Sequence, residues 1–533
     1  MGKSSSGGQQ SMMGLSANRP VVDLRPACAM GKSSSGGQQL MMGLSANRPV
    51  VDLRPACAMG EKRFDFNAQC QEAYQDIIQL KLDAGQKILD AEKKRDPDNL
   101  IPLFLENYID FFILFFNEDP AEYQARKGML DQRIRWMNEG PESSPFYLFT
   151  HSLIHFQWAA IKIKFGDNWD AGWEFRRSFL QSKESMKKFP SFMPAQMLSG
   201  AMEVVAGTIP DGYKWLSSLL GIKGNIKGGM DRLNNVLTSD DATSHWFRKE
   251  ATFYYLYLKF YIENKHEDVF AYIRVHNLDI KNNYLFSYLA ANLAINDQRA
   301  AYAEQVMRQR SRDGGYLAMP VWDLEMGYVL ICHQSPDAHV YLERFVNTFK
   351  GRFYVKDALQ KLSWYYYLNG DMTRAAQCRT QILAKGGSEA DADKQAVKEA
   401  KSGKWPDKVL LKARLLCDGG YYGEALQSLQ GRGSGDFQTP EDKCEFAYRL
   451  GRIYDGLGRG NEAISAYLTA IKTGENLKEY FAARAALQAG YIYEQQGDKT
   501  AAVDYFQKCL SLKDHDYKNS LDQKAKAGIE RCK

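Results

Sequence analysis

From Phe64 onward the apolar residues recur at the spacing of one helical face, and the pattern continues to the end of the chain. It is most regular between Lys443 and Asp514. There Cys444, Ala447, Leu450, Gly451 and Tyr454 lead to Gly458, and Ala463, Tyr467 and Ala470 follow. After a spacer the same order returns as Ala486, Ala489, Gly490, Tyr493, Gly497, Ala502, Phe506 and Cys509. The pattern predicts a helix, a tight turn and a second helix, written twice. Small residues, Gly451 with Ala463 and Gly490 with Ala502, stand where the two helices cross closely, and Tyr454, Tyr467 and Phe506 fill the space between. Gly458 and Gly497 supply a turn of positive φ at little steric cost. One such hairpin cannot bury its own apolar face, so each needs a neighbour.

Earlier segments are less regular copies. Tyr74, Ile77, Ile78 and Leu82 share a face, and Ile88, Leu89 and Ala91 form a second segment that stops at Asp96-Pro97-Asp98. Leu100 to Phe116 is the most apolar stretch, but it contains Pro102, Glu106, Asn107 and Asp110. An Asp at mid-bilayer costs about 2.5 to 3.5 kcal/mol. The stretch therefore predicts a core helix covered by Phe111, Phe112, Phe115 and Phe116, with a surface-seeking helix that exposes the Phe cluster as the alternative. Trp158, Ala159, Gly166, Ala171 and Phe175 repeat the spacing of Leu450, Gly451, Gly458, Ala463 and Tyr467. Further pairs follow: 246–262 with 269–275, 285–294 with 300–307, 322–331 with 340–349, and 359–368 with Gly370 and Ala375.

The rhythm breaks at 385–408, a charged passage that reads as an insertion or hinge, with Ser388, Asp391 and Asp393 available to cap a short polar helix. The divisions expected are a leader over 1–60, degenerate hairpins over 61–208 and 209–384, the charged insertion, and regular repeats over 409–533. The fold class is all-α, a right-handed α-solenoid of antiparallel helix hairpins behind a disordered leader.

The leader is text repeated almost letter for letter, Met1 to Ala29 and Met30 to Ala58, differing at Ser11 against Leu40. Such exactness, with its Ser, Gly and Gln content, predicts a duplicated low-complexity segment, disordered or a product of cloning, rather than a structural repeat. Met1-Gly2 with Ser6 fits an N-myristoylation pattern, and Cys28 or Cys57 could take an acyl chain. Gly2-Lys3-Ser4 lacks the preceding strand of a phosphate loop. Leu40 to Leu44 is too short for the apolar region of an export signal, so the compartment cannot be read from it.

A net charge of +5 on 69 basic and 64 acidic residues lacks the footprint of a nucleic-acid binder. Nine scattered cysteines, without a CxxC or Cys/His ligand spacing, support neither a zinc site nor a disulfide framework, and read as buried thiols. His151 and His155 lie one helical turn apart, which is ligand geometry, but no carboxylate or third histidine stands near them in sequence. Gly221, Gly224, Gly228 and Gly229 could cradle an anion before a helix. With neither a preceding strand nor a Lys-Ser/Thr pair, the simpler expectation is a tight turn at Gly221 and Gly224 and a close helix crossing at Gly228.

The closing hairpins resemble the tetratricopeptide repeat. Its Leu-Gly pair, Tyr, turn Gly, Ala, aromatic and Ala are met by Leu450, Gly451, Tyr454, Gly458, Ala463, Tyr467 and Ala470. Ala489, Gly490, Tyr493, Gly497, Ala502, Phe506 and Cys509 meet them nearly as well. The family's helix-A Trp is replaced by Ala447 and Ala486, and its terminal Pro by Glu475 and Asp514. More loosely, the passages from Leu219 to Asn225 with Gly229, and from Gly490 to Asp498, are similar to divergent tetratricopeptide proteins of the inclusion-clearance type and related exported proteins of Bacteroidota. Asp391 to Ala396 is similar to the bacterial group.

The resemblance implies a protein or peptide partner on the concave face lined by helix A. Position by position that face carries Glu445, Tyr448, Arg452 and Asp455, then Arg484, Leu487, Tyr491 and Glu494. The binding candidates are Tyr448, Arg452, Arg484, Leu487, Tyr491 and Glu494, since Tyr and Arg are types that anchor interfaces. The Asn and Lys of a chaperone carboxylate clamp are absent. The function expected is a non-catalytic interaction scaffold, with no cofactor, no metal, no nucleic acid and no transmembrane segment. The alternatives are a small-ligand binder or enzyme with an internal pocket near His151, His155 and the 221–229 loop, and an envelope- or lipid-associated helical protein. The compartment would be the bacterial envelope if a native signal has been replaced, and otherwise the cytoplasm.

Overall fold

The computed structural model describes residues 60–207 and 221–532. The duplicated leader, the passage from Ile209 and Pro210 through Trp215 to Leu220, and Lys533 lie outside the described residues. Helices α1 (Ala68–Ile78), α2 (Leu82–Arg95), α3 (Ile101–Asn117), α4 (Pro120–Arg126), α5 (Met129–Met137), α6 (Pro145–Lys164), α7 (Asn168–Lys188) and α8 (Met193–Gly207) come first. Next are α9 (Ile226–Thr238), α10 (Ala242–Trp246), α11 (Arg248–Tyr261), α12 (His266–Val275), α13 (Tyr284–Asn296), α14 (Ala300–Gln309), α15 (Val321–Cys332), α16 (Ala338–Thr348), α17 (Val355–Leu368) and α18 (Met372–Ala384). The chain closes with α19 (Asp391–Ser402), α20 (Lys408–Gly419), α21 (Tyr422–Ser428), α22 (Pro440–Gly456), α23 (Gly460–Gly474), α24 (Phe481–Gln495), α25 (Lys499–Ser511) and α26 (Lys518–Cys532). Sequence neighbours pack as hairpins, among them α6 with α7, α13 with α14, α17 with α18, α22 with α23 and α24 with α25. The described chain is an all-α solenoid; its one β-type pairing is an isolated bridge between Arg63 and Asn99.

Local chemistry sets the helix starts. Asn67, Asp119, Ser144, Asp407 and Thr439 each accept a backbone N–H of the first turn, and Pro102, Pro120, Pro145 and Pro440 occupy positions where the missing N–H costs nothing. In the closing repeats Gly458 and Gly497 turn the chain at φ +71° and +83°. A Cβ on Gly451 would run into the Tyr467 ring, and one on Gly490 would lie 2.6 Å from Phe506.

α3 lies in the core, with Phe112, Phe115 and Phe116 buried and Phe111 half-buried. Its central polar residues are partnered. Asp110 takes Arg133 at 2.6 Å and also pairs with Arg126, Glu106 pairs with Lys93, and Asn107 donates to Gln157 at 2.7 Å while accepting the Trp158 indole N–H at 2.9 Å. Among the described residues no helix is long and apolar enough to cross a membrane.

The cores follow the repeats. One runs from Phe66 through Leu415, a second gathers α22 to α26, and a small third core around Leu410, Leu416 and Ile453 joins them. α19 packs on α17 and α18, with Ala392 and Ala396 buried. Neither Ser388 nor Asp391 caps it; Ala390 holds the N-cap position without a side-chain hydrogen bond. Asp393 is used elsewhere: its buried carboxylate accepts the backbone N–H groups of Tyr354 at 2.8 Å and Asp357 at 3.0 Å, closing the start of α17 from outside.

Two contacts across long sequence separations fold the solenoid back on itself. The Gln298 side-chain oxygen accepts the hydroxyl of Tyr422 at 2.8 Å and a guanidinium N–H of Arg452 at 3.2 Å, while its amide donates to the Cys417 carbonyl at 3.2 Å. Farther along, Tyr517 donates to Gln395 at 2.9 Å and Lys398 pairs with Asp516.

Candidate partner-binding cleft

The inner face of the closing repeats is built by α22, α24 and α26. α26 lies beyond the second sequence copy and packs on both α24 and α25. It is held there by Leu521, Ala525 and Cys532, and by Gly528, whose backbone meets the Phe506 ring. Opposite stands the corner between α11 and α12, residues Phe260 to Lys265. Between them lies a cleft of about 760 Å³, walled by Asp455, Gln488, Tyr491, Glu494, Lys524 and Arg531 on the repeat side.

The expected binding residues separate into two sets. Tyr448 and Leu487 are buried, each 2% exposed; the Tyr448 ring packs on Phe481 at 5.5 Å and on Tyr467 at 6.3 Å. Their position on helix A turns them toward the neighbouring hairpin, and this removes both from the list of surface contacts. Arg452, Arg484, Tyr491 and Glu494 are half-buried. Tyr491 and Glu494 line the cleft, and both are engaged by α26: Arg531 grips Glu494 with two N–H donors at 2.6 and 2.7 Å and lies over the Tyr491 ring. Glu445 is likewise taken by the buried Arg449 through N–H donors at 2.9 and 2.6 Å.

Burial dominates the electrostatics. It pushes the Tyr491 hydroxyl up to about 12 and raises the Asp455 carboxyl, against the lowering effects of Arg452 and the Tyr467 hydroxyl. Lys524 is brought down to about 7 by burial and by the guanidinium groups of Arg484 and Arg452. Sequence reasoning missed Lys524 and Arg531. Their helix carries a legible signal, Leu521, Ala525, Gly528 and Cys532 at helical spacing, but only the folded chain turns those two side chains toward the earlier repeats.

The other candidate chemistry is occupied internally. His155 does meet a carboxylate, Glu174 of α7, at 2.7 Å, and that carboxyl is held down to about 2, with burial opposed by His155 and Lys162. His151 contacts the Tyr147 carbonyl at 2.7 Å and Asn138 at 2.8 Å. Among the described residues no group of three His, Cys, Asp or Glu side chains could hold a metal. In the glycine passage Gly221 turns at φ +67°, and Gly224 lies against the backbone of Gly207. The close crossing falls at Gly229, which meets Gly200 and Val204, and not at Gly228, beside the capping Asn225. No disulfide forms among the described cysteines, and Cys332 alone among them is half-buried.

Residues 445–473 and 483–516, the two closing hairpins, match the tetratricopeptide repeat. No curated protein matches the chain. Among solved structures, the crystal structure of the APC/C hetero-tetramer Cut9-Hcn1 aligns over 88% of this chain and all of that one, at 10% identity and a TM-score of 0.22, a likeness too weak to inform fold or function.

Proposed function

We propose that this protein is a non-catalytic tetratricopeptide scaffold that binds a protein or peptide partner in the cleft beside its closing repeats. The observation that carries the proposal is the cleft itself: the inner helices of two matched repeats face an open volume of about 760 Å³, walled by an aromatic ring and by charged and amide side chains, within the size range of binding pockets. The proposed contact residues are Tyr491 and Glu494, which line the cleft, with Arg452 and Arg484 half-buried on the same two inner helices, α22 and α24. Tyr448 and Leu487 support the face from beneath. The looser similarity to inclusion-clearance-type and exported Bacteroidota proteins extends the proposal to a helical adaptor, with 385–408 as a boundary between the irregular body and the regular repeats and with no nucleic-acid partner.

Affinity capture from the native source tests it. The intact chain recovers a defined set of proteins, and Tyr491→Ala combined with Arg484→Ala loses them while retaining the helical circular-dichroism signal. Unchanged recovery by the folded double variant would place binding elsewhere.

A further inference from the structure

We propose that the outer face of α7 docks on an anionic lipid surface, with Trp169 and Trp173 at the level of the headgroups and Lys183 and Lys187 on lipid phosphates. This goes beyond the scaffold reading and does not depend on the cleft.

α7 has two faces. Ala171, Phe175, Ser178, Phe179 and Ser182 are buried, and the helix packs on α6 and α8. At 3.6 residues per turn, Trp169, Trp173, Arg176, Leu180, Lys183 and Lys187 fall within about 80° of one another on the opposite side. Trp169 is 51% exposed and Leu180 41%. The Trp169 and Trp173 rings meet edge to face at 6.2 Å, and the Arg176 guanidinium lies over Trp173 at 5.8 Å. From Trp169 to Lys187 the stripe runs about 27 Å along a straight helix, a shape suited to a flat surface.

Charge decides what covers it. α7 carries five basic and three acidic residues, and each of the acidic ones is already engaged. Glu174 is taken by His155, Lys162 and Arg177, Glu184 by Lys188 at 2.9 Å, and Asp170 faces Lys162 at 4.0 Å. Asp167, just before the helix, accepts the Tyr123 hydroxyl at 2.7 Å. Lys183 and Lys187 are exposed, and among the described residues neither has a carboxylate partner; Lys183 lies over the Phe179 ring at 5.1 Å. The stripe thus presents indole rings at one end and unmatched positive charge at the other. Indole rings are favoured at the boundary between water and hydrocarbon, and basic side chains beside them gain from anionic headgroups. A second copy of this chain would bring the same surplus of positive charge and leave the lysines without a counter-charge, whereas lipid phosphate supplies one.

The test uses the full, unacylated chain at low salt and sucrose-loaded vesicles of phosphatidylcholine, alone or with about 30% phosphatidylserine, read by co-sedimentation. Partition into the anionic vesicles is at least about tenfold the greater, and the preference fades as salt is added. Trp169→Ser combined with Trp173→Ser lowers partition by about fivefold or more and removes the blue shift of indole emission on binding. Lys183→Glu combined with Lys187→Glu removes the preference for anionic vesicles. The lysine variant, at two exposed positions, decides the matter if the tryptophan variant loses its helical circular-dichroism signal. Tyr491→Ala with Arg484→Ala leaves vesicle binding unchanged, so this proposal and the cleft fail separately. Equal partition of the parent into both vesicles, the same partition by the parent and the folded variants, or no sedimentation with either vesicle would overturn the proposal. So would a concentration-dependent dimer in sedimentation equilibrium that the tryptophan variant abolishes, which assigns the stripe to a second copy.

Discussion

The hydroxyl of Tyr74 donates to the Glu250 carboxylate at 2.7 Å, across 176 residues of chain. Tyr108 donates to the same oxygen at 2.8 Å and Tyr254 to the other at 2.8 Å. One buried carboxylate thus ties α1 and α3 to α11, and burial raises its pKa against the pull of the three hydroxyls. Glu250→Ala leaves those hydroxyls without an acceptor, and each orphaned buried group costs about 1 to 3 kcal/mol. A drop in melting temperature larger than that of any single Tyr→Phe change is expected in thermal denaturation. Glu250→Gln, which keeps an oxygen acceptor, falls between.

The two glycine crossings predict a steric penalty. A Cβ at Gly490 stands 2.6 Å from the Phe506 ring. Gly490→Leu should therefore destabilise the closing repeats by about 1 to 3 kcal/mol through overpacking. Urea denaturation measures it, and Phe506→Ala in the same chain should recover part of the loss by opening the space.

Glu325 gives the fold a pH dependence. It is fully buried on α15 and its carboxyl is pushed up to about 8 by burial, with Asn292 donating at 2.9 Å and Arg310 opposing the shift. Tyr288 of α13, also buried, faces the same charge. An unfolded glutamate loses its proton near 4.3. The native chain therefore binds more protons between that value and about 8, and stability falls as pH rises through this window. Melting temperatures of the parent should decline from pH 5 to pH 9 more steeply than those of Glu325→Gln, and the variant should be the stabler protein at the alkaline end.

Asp393 predicts a local effect. Its carboxylate holds the Tyr354 and Asp357 N–H groups. Asp393→Ala removes that cap, at a cost of about 1 to 2 kcal/mol, and loosens α19 from α17. Limited proteolysis should cleave the variant between Lys385 and Lys408 faster than the parent.

The closing hairpins were legible because their signals are local. Gly458 and Gly497 needed positive φ, and Gly451 and Gly490 needed a close neighbour, whatever the rest of the chain did. What the sequence hid depends on tertiary approach. Glu174 reaches His155 from the next helix, Asp393 caps a helix other than its own, and Lys524 meets Arg484 and Arg452 only after α26 docks. The inner face was half legible for the same reason: helical spacing placed Tyr448 and Leu487 beside Arg452 and Arg484, but burial by the adjacent hairpin decides which of them a partner can touch.

The Gln298 junction changes the mechanics of the solenoid. An open array of hairpins is a spring whose ends separate as each interface flexes slightly. Here one side chain, bonded to Tyr422, Arg452 and Cys417, clips the middle of the array to its last turns, and Lys398 with Asp516 adds a second clip. Stretching the molecule end to end would load these clips before any repeat uncoils, so its first yield under force is the release of a hasp and not the gradual extension of a coil.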